Sequence, residues 1–137
     1  MDSIFAQKHN CSDTINPTID NSKYIEGIDQ YSYEGDSIKK VIIIFENNFN
    51  GDQVAVLVNN RIKWKKNVTT VRTKGASNQV CEIDYAEFKE PPLITIKIKH
   101  KRCVSFYPIL GKRICYINYF KEEAWSIQAS NILKSYR

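Results

Sequence analysis

The segment FENNFNGDQVAVLVNNRIKWKKNVTT, residues 45–70, predicts three β-strands joined by two tight turns. Short apolar or alternating runs bounded by Asn and Gly are typical of strands in a meander. Asn50-Gly51 favours a type I′ hairpin turn, because both central residues of that turn have positive φ. Such a hairpin would pair Phe45 with Val56. The segment carries no obvious catalytic group, so what it predicts first is architecture.

The second turn, at residues 59–60, leaves two strand registers open. A two-residue turn would place Lys63 and Lys65 on the same face of the sheet as Val56. A three-residue loop would place Ile62 and Trp64 there instead, because a slip of one residue exchanges the two faces of a strand. We favour the three-residue loop, since it unites the apolar side chains and leaves both lysines on the outer face.

Two later segments alternate between apolar and polar residues. SNQVCEIDY, residues 77–85, alternates Val80, Glu82 and Asp84 against Cys81, Ile83 and Tyr85. LITIKIKH, residues 93–100, has the cleanest alternation, with Ile94, Ile96 and Ile98 predicted to face inward and Thr95, Lys97 and Lys99 outward. This period of two residues is typical of half-buried strands.

The C-terminal third predicts a hairpin and one further element. RCVSFYPI and KRICYINYF, residues 102–120, flank a turn and favour two paired strands. Residues 121–137 fit two patterns, because Trp125 and Ala129 suit both strand alternation and helical spacing. We favour the strand.

These elements predict an all-β fold, an antiparallel β-sandwich of two packed sheets with about seven to nine short strands. Residues 1–37 are polar and rich in Asn, Asp and Ser, and are expected to form an irregular N-terminal arm with a short extended piece at QYSYE. Residues 38–137 are expected to form a single β-sandwich domain.

Composition excludes several classes of function. The chain has 137 residues with 20 basic and 15 acidic side chains, a formal net charge of +5, which permits an anionic partner without requiring one. Its 5 glycines form no nucleotide-binding loop, so no cofactor is expected. No apolar run approaches the ~20 residues that span a bilayer, so no membrane span is expected.

Cysteine content bears on the compartment. The 4 cysteines, Cys11, Cys81, Cys103 and Cys115, show no C-x-x-C spacing, which disfavours a zinc or thioredoxin-type site, and no metal is expected. We favour a Cys103–Cys115 disulfide across the predicted hairpin, with four buried thiols as the alternative. SIFAQ near the N-terminus is similar to the end of a signal peptide. Together these features favour a periplasmic or secreted protein, with the cytoplasm as the alternative.

The sequence contains no recognisable catalytic constellation, so the chain is predicted not to be an enzyme. His9 lies in the polar arm, and His100 is expected on a turn, with no nucleophile motif beside it. A small hydrolase would need two facing carboxylates, such as Glu82 or Asp84 with Asp29 or Glu34. A solvated strand face explains these acids more simply.

Aromatic and lysine side chains supply the candidate binding residues. Aromatic residues make up 12% of the chain, and exposed tyrosines are common in binding surfaces. Lysines on two predicted strands would form a basic outer surface. The candidates are Tyr31, Tyr33, Tyr116 and Tyr119, with Lys63, Lys65, Lys97 and Lys99.

The sequence therefore predicts a non-enzymatic binding module that acts by protein–protein contact, in a specific form an immunity or inhibitor protein against a bacterial toxin. Carbohydrate recognition through exposed aromatic rings is the alternative. Nucleic acid is disfavoured as a partner, because aromatic residues are not interleaved with the basic residues on one sheet face.

Overall fold

The computed structural model describes residues 11, 14–35, 38–71, 75–77, 79–100, 103–119 and 124–135. His9 lies outside these residues. Over the described residues the chain is all-β and contains no helix, which confirms the sandwich-like fold. The strands are β1 (Thr18–Ile19), β2 (Asp29–Ser32), β3 (Lys40–Phe45), β4 (Asp52–Val58), β5 (Arg61–Val68), β6 (Thr70–Val71), β7 (Ala76–Ser77), β8 (Val80–Asp84), β9 (Ile94–Ile98), β10 (Cys103–Phe106), β11 (Ile114–Tyr119), β12 (Trp125–Ser130) and β13 (Ile132–Lys134).

Two large sheets pack face to face. The five-stranded sheet has the order β1-β12-β11-β3-β8, and the four-stranded sheet has the order β10-β9-β4-β5. Most neighbours are antiparallel, but β3 runs parallel to β11 and β1 runs parallel to β12, so the five-stranded sheet is mixed. We call the side of each sheet that points away from the other sheet its outer face.

The main core lies between the two sheets, and strand alternation builds it. Val56 of β4 and Ile96 of β9 are opposite each other and fully buried, and Phe45 of β3 meets them from the other sheet. The Phe45 ring stacks on Trp64 with ring centroids 5.4 Å apart. The strands predicted from alternation at residues 80–84 and 94–98 point their apolar side chains into this core, as expected.

A third layer covers part of the outer face of the five-stranded sheet. The β2–β13 pair and the β6–β7 pair form two short ribbons. Leu133 of β13 and Ala76 of β7 pack with Ile44 and Tyr116 of the sheet in a second apolar cluster. The predicted extended piece in the arm is β2, and β1 pairs with β12. The arm thus contributes strands, while its division from the domain stays a prediction.

The predicted hairpin around Asn50-Gly51 is wrong. β3 and β4 belong to different sheets, and the residues between them cross from one sheet to the other. Ile43 instead lies between Cys115 of β11 and Cys81 of β8. β3 is apolar on both faces, as the continuous run VIIIF indicates, and neighbours in its own sheet occupy both of its edges. Gly51 does adopt a positive φ of 63°, but in a crossover connection.

At residues 59–60 the loop prediction is wrong and the preferred face of Trp64 is right. Asn59 and Asn60 have φ of 48° and 67° and form a two-residue turn. A β-bulge then adds one residue in β5, which brings Trp64 opposite Val56. The bulge, and not a longer loop, returns Trp64 to the core face. The prediction for Ile62 is wrong, because Ile62 precedes the bulge, lies opposite Leu57 on the outer face and is 46% exposed.

The second predicted hairpin and the Cys103–Cys115 disulfide are also wrong, for one reason. β10 lies in the four-stranded sheet, where it pairs with β9, whereas β11 lies in the five-stranded sheet. Cys103 is bonded to Cys11, 92 positions away in the sequence, and Cys115 and Cys81 are buried free thiols. The strand preferred for the C-terminal segment is confirmed by β12 and β13; residues 120–123 and 136–137 lie outside the described part.

Candidate functional site

Edge strand β8 presents backbone groups that its own sheet leaves unused. The amide of Tyr85 donates to the carbonyl of Lys39, 2.8 Å away, which fixes the hydrogen-bonding phase of the β3–β8 pair. Along an antiparallel pair, residues alternate between facing the partner strand and facing away from it. Like Tyr85, Cys81 and Ile83 therefore form their backbone hydrogen bonds with β3. The amide and carbonyl groups of Val80, Glu82 and Asp84 point away from β3, to an edge of the sheet at which no other described strand pairs.

A pocket of about 280 Å³ opens on the outer face beside the first residue of β8. Its floor is Ile42 and Ile44, and Val80, which is 52% exposed, stands at its mouth. The full lining is Gln30, Ile42, Ile44, Ala76, Ser77, Val80, Leu133 and Lys134. We call this the outer pocket. Its lining is mainly aliphatic, so it suits an apolar group.

The position of the Lys134 ammonium at this pocket is fixed by two contacts. Its Nζ atom lies 3.1 Å from Glu46 Oε2 and 4.1 Å from the centroid of the Tyr116 ring. Glu46 is 7% exposed and accepts a second hydrogen bond, of 2.9 Å, from Asn118 Nδ2. The Lys134 side chain is 41% exposed, but its ammonium is paired with a buried carboxylate, so the outer pocket offers no unpaired charge to an ionic ligand.

A second pocket of about 250 Å³ lies at the opening between the two sheets, where β8 comes close to β5. Ile83, Trp64 and Phe88 form its apolar and aromatic part, and Lys63 and Glu87 are also in its lining. The full lining is Val58, Lys63, Trp64, Glu82, Ile83, Asp84, Glu87 and Phe88. We call this the inner pocket. The two pockets therefore lie on opposite sides of the same edge strand.

The acids of β8 do not form a catalytic pair with those named as candidates. Glu82 lies 4.0 Å from Lys40 Nζ and 3.9 Å from an Arg113 nitrogen. Neither Asp29 nor Glu34 lines the pocket that contains Glu82, and the Asp29 carboxylate accepts a hydrogen bond from the amide of Ile25 at 2.8 Å.

Among the described residues no group of three His, Cys, Asp or Glu side chains is placed to hold a metal ion. His100 is exposed on the turn after β9, as expected.

Of the four candidate tyrosines, two are accessible. Tyr31 is 55% exposed, and its ring meets Tyr33 edge-on, with centroids 4.7 Å apart and planes at 67°. Such a pair does not form the flat platform on which a sugar ring stacks. Tyr116 and Tyr119 are buried, 1% and 5% exposed, so their predicted exposure is wrong.

The candidate lysines gather on the four-stranded sheet. Lys65 and Lys97 both lie opposite Ala55, on either side of β4, and share its outer face. Lys99 follows Lys97 by two residues on that face and is exposed. Burial lowers the pKa of Lys97 below its ordinary value. Lys63 is exposed and lies at the β-bulge, beside the inner pocket.

The two candidate groups lie on opposite sides of the sandwich. Tyr31 is in the ribbon above the five-stranded sheet, whereas Lys65 and Lys97 are on the four-stranded sheet. The structure thus brings the lysines together and separates them from the tyrosines. The open edge of β8 was missed, because alternation in VCEID predicts which face is buried and gives no information about which strand is last in a sheet.

Comparison with known proteins gives no match: no protein-family model, no curated protein and no solved structure resembles the chain. Within the residues that the structure describes, no helix is long and apolar enough to cross a membrane.

Proposed function

We propose that this chain is a non-enzymatic binding module that holds a protein partner by adding an extended segment of that partner to the open edge of β8. The observation that carries the proposal is the edge itself, where Val80, Glu82 and Asp84 turn their backbone groups outward between two pockets. In strand addition, backbone hydrogen bonds supply affinity and pockets for alternate side chains supply specificity.

The other edges of the two sheets are less suited to strand addition. β1 has two residues, and β10 is flanked by the N-terminal segment, where Ile15 N donates to Ser105 O at 3.0 Å. β5 carries Arg61, Lys63 and Lys66 within six residues, and dense lysine on an edge opposes pairing with another strand. On β8 the charge of Glu82 is balanced by Lys40 and Arg113.

The specific form of this proposal is an inhibitor or immunity protein that acts on a secreted enzyme or toxin in the periplasm or outside the cell. The Cys11–Cys103 disulfide supports this, because disulfides persist in oxidising compartments. Binding of this kind needs a rigid sheet edge and no catalytic group.

The test is a pair of substitutions at one residue. Glu82→Pro removes the outward amide and blocks an added strand, and it spares the β3 ladder because that amide does not bond to β3. Glu82→Ala removes the same side chain and its exposed ion pairs but keeps the amide. The probe is a phage-displayed library of random nine-residue peptides selected on the immobilised full chain.

We expect recovered peptides to bind the wild type and Glu82→Ala with similar affinity and Glu82→Pro at least tenfold more weakly. Bound peptide should slow amide hydrogen exchange at Val80, Glu82 and Asp84. Equal binding to Glu82→Pro and Glu82→Ala, or unchanged exchange at the three amides, would overturn the proposal. So would a selection that yields no binding peptide.

A further inference from the structure

We infer, resting on the proposed function, that the recognised segment carries two apolar side chains three positions apart, the first in the outer pocket and the second in the inner pocket. Val80 marks the first pocket and Ile83 the second, and these residues are three positions apart on β8. A strand added to β8 has the same rise per residue and the same alternation of faces, so its side chains must follow the same spacing.

The spacing follows from which side of the sheet each pocket occupies. Val80 lies opposite Ile44 and points to the outer face, whereas Ile83 lies opposite Val41 and points into the core. Side chains reach opposite faces of a strand only when an odd number of positions separates them. Three positions cover about 10 Å along a strand. Two or four positions would place both side chains on one face.

The outer pocket favours an aliphatic side chain. Ile44 at its floor is 4% exposed, and Leu133 and Ala76 pack with Ile44 in the same cluster. The Lys134 ammonium beside it is already paired with Glu46. A buried leucine-sized side chain gains about 1.5–3 kcal/mol from removal of its surface from water. An acidic side chain would lose its hydration without gaining an unneutralised cation.

The inner pocket favours a second apolar side chain. Trp64 and Phe88 are both half-buried and pack against the core, so they offer apolar surface that is already held in place. The lining also contains Lys63 and three acids, Glu82, Asp84 and Glu87. This excess of acidic groups disfavours an acidic side chain in the ligand.

A second copy of this chain does not fit the edge well in the antiparallel register that pairs all five residues of β8. Two β8 strands paired antiparallel about a two-fold axis at Glu82 would bring the two Glu82 side chains together and place Asp84 opposite Val80. Like charges directly opposite each other destabilise a strand pair. The occupant is therefore a segment of a different protein, with an apolar residue where β8 would supply Asp84.

The probe is a set of three capped nine-residue peptides of threonine that carry leucine at two positions. The first has leucine at positions 3 and 6, the second at 3 and 5, and the third at 3 and 7. All three have the same composition and β-propensity. The first places its leucines on opposite faces, and the other two place both leucines on one face, at a shorter and a longer spacing. Binding to the full chain is measured by fluorescence anisotropy, with Glu82→Ala and Glu82→Pro in parallel.

We expect the 3,6 peptide to bind at least tenfold more tightly than the other two, and Val80→Arg, at an exposed position, to abolish that difference. If all three peptides bind Glu82→Ala equally and Glu82→Pro more weakly, the inference is overturned and strand addition stands. If the peptides bind Glu82→Pro as well as Glu82→Ala, or do not bind at all, strand addition fails and the inference with it.

Discussion

The buried carboxylate of Glu46 pairs with the partly exposed ammonium of Lys134, with 3.1 Å between Oε2 and Nζ, and ties β13 to the residue that follows β3. Asn118 of β11 donates to the other carboxylate oxygen at 2.9 Å. Three chain segments that are distant in the sequence therefore meet at one carboxylate. Because β13 forms a wall of the outer pocket, this pair helps to fix the shape of the pocket.

Lys134→Met should destabilise the fold by about 1–2 kcal/mol, because Glu46 keeps its buried charge and loses the ammonium that neutralises it. The methionine retains much of the apolar contact of the lysine chain. Lys63→Met, at an exposed position, is the matched control and should change stability by less than about 0.5 kcal/mol. Urea unfolding followed by Trp fluorescence measures both, and equal effects would contradict the prediction.

Tyr116→Phe should destabilise the protein by about 1–3 kcal/mol, because its hydroxyl is a buried link between two strands. The hydroxyl donates to the carbonyl of Ile132 at 2.6 Å and accepts the amide of Lys134 at 3.0 Å. Both backbone groups would lose this partner. The matched control is Tyr31→Phe, at an exposed ring, which should be neutral. A neutral Tyr116→Phe in thermal or urea unfolding would show that water replaces the hydroxyl.

Reduction of the Cys11–Cys103 disulfide should lower the free energy of unfolding by about 2–5 kcal/mol, because the bond closes a long loop in the unfolded chain. Its two cysteines are 92 positions apart in the sequence. Alkylation in denaturant, read by mass spectrometry, should modify two thiols before reduction and four after it. Peptide mapping should assign the first two to Cys81 and Cys115. Modification of Cys11 or Cys103 without reductant would contradict the assignment.

The two buried thiols predict a loss of stability at alkaline pH. Burial raises the pKa of Cys115 to about 12. The pKa of Cys81 is also raised to about 12, mainly by burial and to a smaller extent by the nearby charge of Glu82. In the unfolded chain a thiol titrates near about 8.5. The contribution of each protonated thiol to the free energy of unfolding is complete below that pH. It is lost as pH rises towards 12, because only the unfolded state releases protons in this range. Each thiol adds up to about 1.4 kcal/mol per pH unit to the slope.

Cys115→Ala separates the pH dependence of stability from the cost of a smaller side chain. The variant should be less stable than the wild type at pH 7, and its stability should fall less steeply between pH 9 and about 11. Urea unfolding at several pH values, with the disulfide intact, gives both slopes. Parallel slopes would mean that the Cys115 thiol ionises equally in the folded and unfolded states.

Strand positions could be predicted from the sequence because alternation is a local property of the chain. The isoleucines of β9 and the apolar side of β8 could be assigned to the core from the sequence alone, and the structure agrees. Sheet membership could not be predicted in this way. The Asn50-Gly51 pair fits both a hairpin and a crossover connection, since each uses a residue with positive φ, and only packing of the distant β11 against β3 decides between them.

For the candidate site, too, the strand could be predicted from the sequence and its place in the sheet could not. Val80, Glu82 and Asp84 could be predicted as the outward face of one strand. Their outward backbone groups matter because β8 is last in its sheet, and that depends on the pairing of β3 with β11, about 70 residues later in the chain. The buried tyrosines follow the same logic, because Tyr116 is covered by the third layer that β13 and β2 form.

The bulge in β5 predicts very different losses of stability for two single-residue deletions only two positions apart. Removing Lys63, the extra residue, should leave Trp64 opposite Val56 and keep the later pairs, at a cost below about 1 kcal/mol. Removing Lys65 should shift every later residue of β5 to the other face, including Val68, which is fully buried. That loss should exceed about 2 kcal/mol, since a buried valine reaches solvent and a polar residue takes its place. Urea unfolding with Trp fluorescence compares the two, and an equally harmful Lys63 deletion would refute the bulge.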